Sequence, residues 1–310
     1  MSGRTLRLGS RMSPMAIAQS RQVARMITGR TGLAVEIVGL STLGDVSQAQ
    51  LTQIGGTGIF VSALREALLG GEVDLAVHSL KDLPSAAADG VMLAAVPPRD
   101  DPRDALVARE GAALADLPPG ARIGTGSPRR AAQLLAMRRD LRCVPIRGNA
   151  NTRLAKVSSG QLDAVVLAVA GLVRIGHAGA VSQAFEIDQM VPAAGQGALA
   201  VECLTGKPEL AALLGMASDP ASAAAVTAER SLLEALEAGC NAPVGAYAAG
   251  AGQLRMQAAV ISGDGRRVLR AHGAAPAGAA WRLGRDLAAE LLRRRAAEPS
   301  VMSGATHTLR

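Results

Sequence analysis

Along the first two-thirds of the chain, short apolar runs alternate with stretches whose apolar residues recur at helical spacing. Leu6–Leu8, Ala34–Leu40, Val73–Val77, Val91–Val96, Arg142–Ile146 and Ala164–Val169 read as buried strands. Between them the pattern predicts helices at Pro14–Thr28, Ile59–Leu69, Pro128–Arg138 and Thr152–Ser158. Strand–helix alternation of this kind predicts α/β layers with largely parallel sheets. From about Pro220 the pattern changes to a long helix ending at Ala238, then strands at Leu254–Ile261 and Arg266–Ala271 around a Gly263-Asp264-Gly265 turn, then a helix from about Ala279. That order predicts a separate small α+β domain.

Two stretches repeat in the same order. Ser13-Pro14-Met15-Ala16-Ile17-Ala18-Gln19 matches Ser127-Pro128-Arg129-Arg130-Ala131-Ala132-Gln133 at Ser, Pro, Ala and Gln, each after a short strand and a glycine, Gly9 or Gly124. Gly71-Glu72-Val73-Asp74 resembles Gly160-Gln161-Leu162-Asp163, and an apolar strand follows both. Beyond chance likeness between generic helix starts, the repeat predicts two lobes of similar design. The first copy carries extra residues around Ser41–Gly58, whose Gly, Gln, Thr and Ser suit a mobile loop near a site or an idle insertion equally. Pro97-Pro98-Arg99-Asp100-Asp101-Pro102 reads as a hinge. A second crossing is expected near Gln189–Gly197, with Ala198–Cys203 returning as a strand to the first lobe. The expected domains are therefore 1–97 with 198–216, 103–192 and 220–310, the first two closing a cleft.

Composition narrows the function. The net charge is +7, arginine far outnumbers lysine, and there are one Trp, one Tyr and two Phe. The charge favours an anionic partner, but the lack of aromatics disfavours single-stranded nucleic acid, which is gripped by base stacking. No nucleic-acid partner is expected. The basic run Arg293–Arg295 ends an amphipathic helix, where cations complement the dipole. No apolar run reaches membrane-spanning length, and the polar MSGRTLRLGS start predicts no signal peptide. Cys143, Cys203 and Cys240 are too far apart for a zinc motif, and a disulfide framework is not expected. A cytoplasmic protein without metal or membrane partner is the expectation.

Serine at an N-cap with proline at N1 marks helix starts at Ser13 and Ser127, and a helix N-terminus suits an anion. Arg11, Arg129, Arg130, Arg147 and Arg153 stand near such starts or strand ends, where ligands of open α/β sheets bind. A guanidinium fork pairs both oxygens of a carboxylate. Any one of these arginines alone reads as a solvated surface group; their shared placement points to a carboxylate site. His78-Ser79-Leu80-Lys81-Asp82 directly follows an apolar strand. Asp82 reads either as a carboxylate in a cationic pocket or as a turn-forming residue before Pro84. Asp45 is a weaker candidate of the same kind. Cys143 and Cys203 read as core residues, whereas Cys240 lies in Gly239-Cys240-Asn241-Ala242-Pro243 beyond a helix, as a covalent anchor or an ordinary loop thiol. Gly124-Thr125-Gly126 lacks the third glycine of a dinucleotide loop.

Taken together, Arg11-Met12-Ser13-Pro14, Gly44-Asp45-Val46, Gly58-Ile59-Phe60-Val61, His78-Ser79-Leu80-Lys81-Asp82, Asp101-Pro102-Arg103-Asp104, Ser127-Pro128-Arg129-Arg130, Arg147-Gly148-Asn149, Thr152-Arg153-Leu154, Pro192-Ala193-Ala194-Gly195-Gln196-Gly197 and Gly239-Cys240-Asn241-Ala242-Pro243 resemble the porphobilinogen deaminase (hydroxymethylbilane synthase) family. They follow the family's order over nearly the whole chain. The resemblance implies two periplasmic-binding-protein-like α/β lobes forming a cleft, plus a small C-terminal α+β domain. It implies a monomeric transferase of tetrapyrrole and haem biosynthesis that condenses four porphobilinogen molecules, with loss of ammonia, on a covalent dipyrromethane primer to give hydroxymethylbilane. By the same resemblance, Cys240 carries the primer through a thioether and Asp82 is catalytic. Cofactor contacts are implied at Lys81, Asp82, Thr125, Ser127, Arg129, Arg130, Arg147 and Gly148, and substrate contacts at Arg11, Ser13, Phe60, Arg147, Arg153 and Gln196. A non-catalytic two-lobed anion- or solute-binding protein is the alternative that the lobe pattern alone allows.

The chain departs from the family pattern in places. Leu43 replaces a basic residue, Thr57 a lysine, and Ser62-Ala63 a Lys-Glu pair, all in or beside the 41–58 loop, where weaker electrostatic docking is expected. Gly126 and Pro128 replace Ser and Leu around the arginine pair, and Asn241-Ala242 replace Gln-Val beside the cysteine.

Overall fold

The computed structural model describes residues 5–40, 58–86, 88–239 and 242–297, with only the backbone at 58–60. Asp45, Leu43, Thr57, the Phe60 side chain, Cys240 and Asn241 lie outside the described set, as does most of the expected loop.

The chain begins with β1 (Leu6–Arg11), α1 (Pro14–Thr31), β2 (Val35–Leu40), α2 (Gly58–Leu69), β3 (Leu75–Ser79) and β4 (Val91–Ala95). It continues through β5 (Asp104–Ala108), β6 (Arg122–Gly124), α3 (Pro128–Met137), β7 (Arg142–Val144), α4 (Ala150–Ser158), β8 (Ala164–Ala168), α5 (Val169–Arg174) and β9 (Gln183–Ala184). It then returns with β10 (Leu199–Leu204) and α6 (Pro208–Gly215), and finishes with α7 (Pro220–Ala235), β11 (Val244–Ala249), β12 (Gln253–Ile261), β13 (Val268–Pro276) and α8 (Ala280–Ala297). Two compact units result, 1–100 with 198–223 and 101–197 with 224–310.

Each unit holds one five-stranded mixed sheet of the same design, ordered β2-β1-β3-β10-β4 in the first and β7-β6-β8-β5-β9 in the second. In the first, β10 runs antiparallel to both neighbours while β1 is parallel to β2 and β3. In the second, β5 is the antiparallel strand and β6 is parallel to β7 and β8. The antiparallel strand in each lobe follows one of the two crossings, as the expected return of Ala198–Cys203 requires.

Helices cover both faces, so the strands are apolar on both sides. In the first lobe Leu6, Leu8, Leu75 and Val77 pack with Val23 and Ile27 of α1 and Leu210 and Leu214 of α6. On the opposite face Ala76 and Val91 pack with Leu64 and Leu68 of α2. Each fully buried leucine is worth about 1.5–3 kcal/mol of transfer free energy.

The internal repeat is physical. Asp74 accepts from the Arg7 backbone N–H (2.9 Å) and Nε (3.2 Å), while Arg7 Nη2 donates to Gly71 O (2.8 Å). In the second lobe Asp163 accepts from the Arg122 backbone N–H (2.7 Å) and Nε (3.4 Å), while Arg122 Nη2 donates to Gly160 O (3.0 Å). The glycines match too. A Cβ on Gly9 would lie 3.1 Å from Val73, and one on Gly124 would lie 2.5 Å from Leu162, the residues just before the two aspartates. The two prolines occupy the first turns of α1 and α3, behind Ser13 and Ser127, whose hydroxyls accept from Ala16 and Arg130 N–H.

The C-terminal domain is an antiparallel β11-β12-β13 sheet. Leu254, Met256 and Ala246 of that sheet pack against Ala228 and Leu232 of α7 and Leu283, Leu287 and Leu291 of α8. Three expectations need correction. The long helix stops at Ala235 rather than Ala238, where Glu237 turns into the left-handed region at φ 50°. The strand expected at Arg266–Ala271 runs over Val268–Pro276. Val244–Ala249, just past the cysteine loop, is a strand that its small side chains concealed.

Candidate active site

Parallel strands that share a sheet end at one edge, so whatever follows their C-termini is gathered there. In the second lobe β6 ends at Gly124, then Thr125 and Ser127 lead into α3; β7 ends at Val144, then Arg147 and Gly148 lead into α4, which carries Arg153. Thr125 is buried, its N–H donates to Val144 O (3.0 Å), and its hydroxyl accepts from Ser127 N–H (3.1 Å). Gly126 has a local reason: a Cβ there would sit 2.7 Å from Ile146 O, the residue before Arg147. Serine at this position would push on the strand end that presents Arg147.

Behind this edge stands a buried charge cluster centred on Asp104, which is fully buried. Arg129 Nη2 lies 2.8 Å from Asp104 Oδ2, and its Nη1 donates to Val191 O (2.7 Å). Arg130 Nε donates to Asp104 Oδ1 (2.8 Å), and its Nη1 donates to Val166 O (3.0 Å). Gln196 Nε2 donates to Asp104 Oδ1 (2.9 Å) and Pro102 O (2.7 Å), while its Oε1 accepts from Arg130 Nη2 (3.4 Å). Arg129, Arg130 and Gln196 are therefore brought together, deeply buried. Arg153 is half-buried, and its Nε donates to Gly148 O (2.9 Å). Burial, and then repulsion from Arg130, lower the proton affinity of Arg153. Burial also lowers that of Arg129, with Asp104 opposing. Guanidinium pKa values are so high that both stay charged. Two guanidiniums thus share one carboxylate, Arg153 lies near enough to feel Arg130, and among the described residues neither Arg147 nor Arg153 has a carboxylate partner.

In the first lobe, β1 ends at Arg11, followed by the Ser13 cap, and its neighbour β3 ends at Ser79, followed by the single turn Leu80–Asp82. Leu80 N–H donates to Ala198 O (3.0 Å), and Gln19 Nε2 of α1 donates to Ser79 Oγ (2.6 Å). Lys81, Asp82, Arg11 and Ser13 are each half-buried at this edge. Beneath it, Arg65 of α2 forks onto Glu202 of β10 (3.0 and 2.7 Å), and His78 Nε2 lies 3.1 Å from the same carboxylate. Burial alone would raise the Glu202 pKa; His78 and Arg65 outweigh it and bring it to about 2.

Sequence reading assigned no role to Asp104, Glu202, Arg65, Gln19 or Arg174, whose Nη2 donates to Gly197 O (2.7 Å). A signal existed for two of them: an acid at the head of Asp104-Ala-Leu-Val-Ala, and one inside Leu199-Ala-Val-Glu202-Cys-Leu, are charges in otherwise apolar strands.

Two α/β lobes of the same design, with arginines near the strand ends, define a two-lobed α/β protein. Family models identify it further: residues 6–212 match the porphobilinogen deaminase dipyrromethane cofactor-binding domain, and residues 223–293 match the porphobilinogen deaminase C-terminal domain. The chain belongs to the porphobilinogen deaminase family. It is 60% identical over 275 residues to the porphobilinogen deaminase of Thermobifida fusca, covering 87% of this chain and 86% of that one. It is 52% identical over 311 residues to porphobilinogen deaminase 1 of Streptomyces coelicolor, covering 96% and 98%. Among solved structures, an ABC-transporter periplasmic substrate-binding protein from Coxiella burnetii covers 69% of this chain and 92% of its own at 17% identity, with a TM-score of 0.43, too loose a likeness to carry an argument.

The residues present fit a carboxylate-rich cofactor. An excess of guanidinium over carboxylate around Arg153, with serine and threonine hydroxyls and a helix N-terminus beside it, is the donor set that acetate and propionate groups need.

Two predictions follow from the charges. Asp104→Asn strands two buried guanidiniums without a counter-charge and is expected to cost about 3–5 kcal/mol in urea unfolding. Glu202 has a folded pKa of about 2 against an ordinary 4.5, so its stabilisation is present above about pH 4.5 and is lost as pH falls toward 2. Thermal melts of Glu202→Gln are therefore expected to fall below the unmodified chain at neutral pH, by up to roughly 3 kcal/mol, and to converge with it toward pH 2.

Proposed function

We propose that this chain is a transferase that condenses four porphobilinogen molecules, releasing ammonia, on a dipyrromethane primer held by Cys240, giving hydroxymethylbilane for tetrapyrrole biosynthesis. The observation that carries the reading is the surplus of guanidinium over carboxylate at the strand ends of the second lobe. Each porphobilinogen brings two carboxylates, so a growing chain accumulates negative charge that such a site offsets. When bound, dipyrromethane supplies the electron-rich pyrrole on which the chain grows.

Each residue then has a task. Arg147 and Arg153 take carboxylates directly; Arg130 and Gln196, locked on Asp104, fix the floor beneath them. Arg129, spent on Asp104 and Val191 O, supports Arg130. Thr125 and Ser127 offer hydroxyl and helix-terminal N–H donors, and Arg11, Ser13 and Lys81 do the same work in the first lobe. Asp82 stabilises positive charge as ammonia leaves and accepts from pyrrole N–H groups. By holding the primer covalently, Cys240 would keep every addition intramolecular. A monomeric, cytoplasmic enzyme is part of the proposal; among the described residues no single helix is long and apolar enough to cross a membrane. The solute-binding alternative gives Cys240 and Asp82 no task.

Asp82→Asn is expected to keep the primer by intact mass yet lose turnover by about a hundredfold or more; near-normal turnover would remove Asp82 from its role. Cys240→Ser is expected never to acquire the primer, and a loaded, active Ser variant would refute the anchor.

A further inference from the structure

The first lobe contains a buried charged cluster that the proposed chemistry does not use. Glu202 on β10 is 3% exposed and accepts the fork of Arg65 from α2. His78 on β3 is 5% exposed, and its Nε2 lies 3.1 Å from Glu202 Oε2, although the ring N–H is not aimed along that line. Apolar residues of similar volume would hold three packed elements together as well or better, so stability alone gives this cluster no reason to be charged.

Its place in the sheet does. Successive residues of a strand point to opposite faces. His78 points to the α2 face, where Glu202 and Arg65 meet it; Ser79 points to the α1 face, where its hydroxyl accepts from Gln19 (2.6 Å). Glu202 stands opposite Ala76, diagonal to His78, so one carboxylate ties the end of β3 to its sheet neighbour and to α2. The next backbone group, Leu80 N–H, is fixed on Ala198 O (3.0 Å). Both the roll and the exit direction of β3 are thus set immediately before the single turn that carries Lys81 and Asp82.

We infer that His78, Glu202 and Arg65 are positioning residues for Asp82: they clamp the end of β3 from the α2 face so that the Asp82 carboxylate leaves the strand at one angle. The inference rests on the catalytic reading of Asp82. Arg65 follows the Ser62-Ala63 pair at which this chain departs from the family pattern. The clamp therefore combines residues that the resemblance does not assign with a segment where it fails.

The test uses the primer-loaded enzyme with Glu202→Gln, His78→Phe, His78→Gln and Asp82→Asn, each checked by thermal melt and by intact mass. Misplacing a reacting group without touching substrate anchors lowers kcat and spares KM, so Glu202→Gln and His78→Phe are expected to lose about tenfold in kcat with KM for porphobilinogen within about twofold. His78→Gln, whose amide nitrogen reaches the place of Nε2, is expected to recover most of the loss. A folded, loaded Glu202→Gln enzyme with unchanged kcat overturns the inference, as does a loss confined to KM or a His78→Gln no better than His78→Phe. Where His78→Phe does not fold, Arg65→Lys, at the more exposed end of the cluster, replaces it and is expected to lower kcat severalfold; no loss overturns the inference. Asp82→Asn at full kcat sinks the catalytic reading instead, whereas an inactive Asp82→Asn beside a fully active Glu202→Gln sinks the positioning role alone.

Discussion

One carboxylate sets the terms of the second lobe. Asp104 is fully buried and meets Arg129, Arg130 and the Gln196 amide. Buried guanidiniums without a counter-ion would not be tolerated, and a fully matched set would have nothing left for a ligand. A single aspartate between two arginines meets both conditions: it holds Arg129 and Arg130 in place, while Arg153, repelled by Arg130, has no carboxylate partner among the described residues. The same groups touch both connecting segments, since Val191 O accepts from Arg129 and Gln196 donates to Pro102 O. Both crossings of the chain therefore end on the charge cluster they serve.

The first lobe solves a different problem with the same scaffold. Its equivalent strand ends carry an acid, Asp82, on a turn only three residues long. Leu80 anchors the turn in the core, and the strand that feeds it sets the direction in which it leaves. Gln19 on one face and the Glu202 cluster on the other supply that direction. The second lobe gathers arginines near its strand ends and helix starts, and the first carries an acid, Asp82, on the turn after β3.

Much of this was legible in the sequence because its causes are local. Ser-Pro at positions 13–14 and 127–128 marks helix starts by capping chemistry, and the lobes show the same Arg–Asp strap behind Gly71-Glu72-Val73-Asp74 and Gly160-Gln161-Leu162-Asp163. The return of β10 was readable from the second crossing. What escaped was set by distant partners. β5 starts on an acid whose burial makes sense only with Arg129 and Arg130 in place. Glu202 joins Arg65 across 137 positions of sequence, and no spacing rule connects them. β11 was missed because Val-Gly-Ala-Tyr-Ala-Ala has little strand propensity, and its burial against β12 decides the matter. Cys240 was set apart by its loop context as an anchor or an ordinary thiol, only the resemblance chose between them, and it lies outside the described residues.

The most direct test of the proposed chemistry is the intact mass of the purified chain before and during incubation with porphobilinogen, with peptide mapping around Cys240. The expected result is a dipyrromethane's excess on the Cys240 peptide that grows in single-pyrrole steps as substrate is supplied. A chain that stays unmodified after exposure to preformed hydroxymethylbilane and then to porphobilinogen would contradict it.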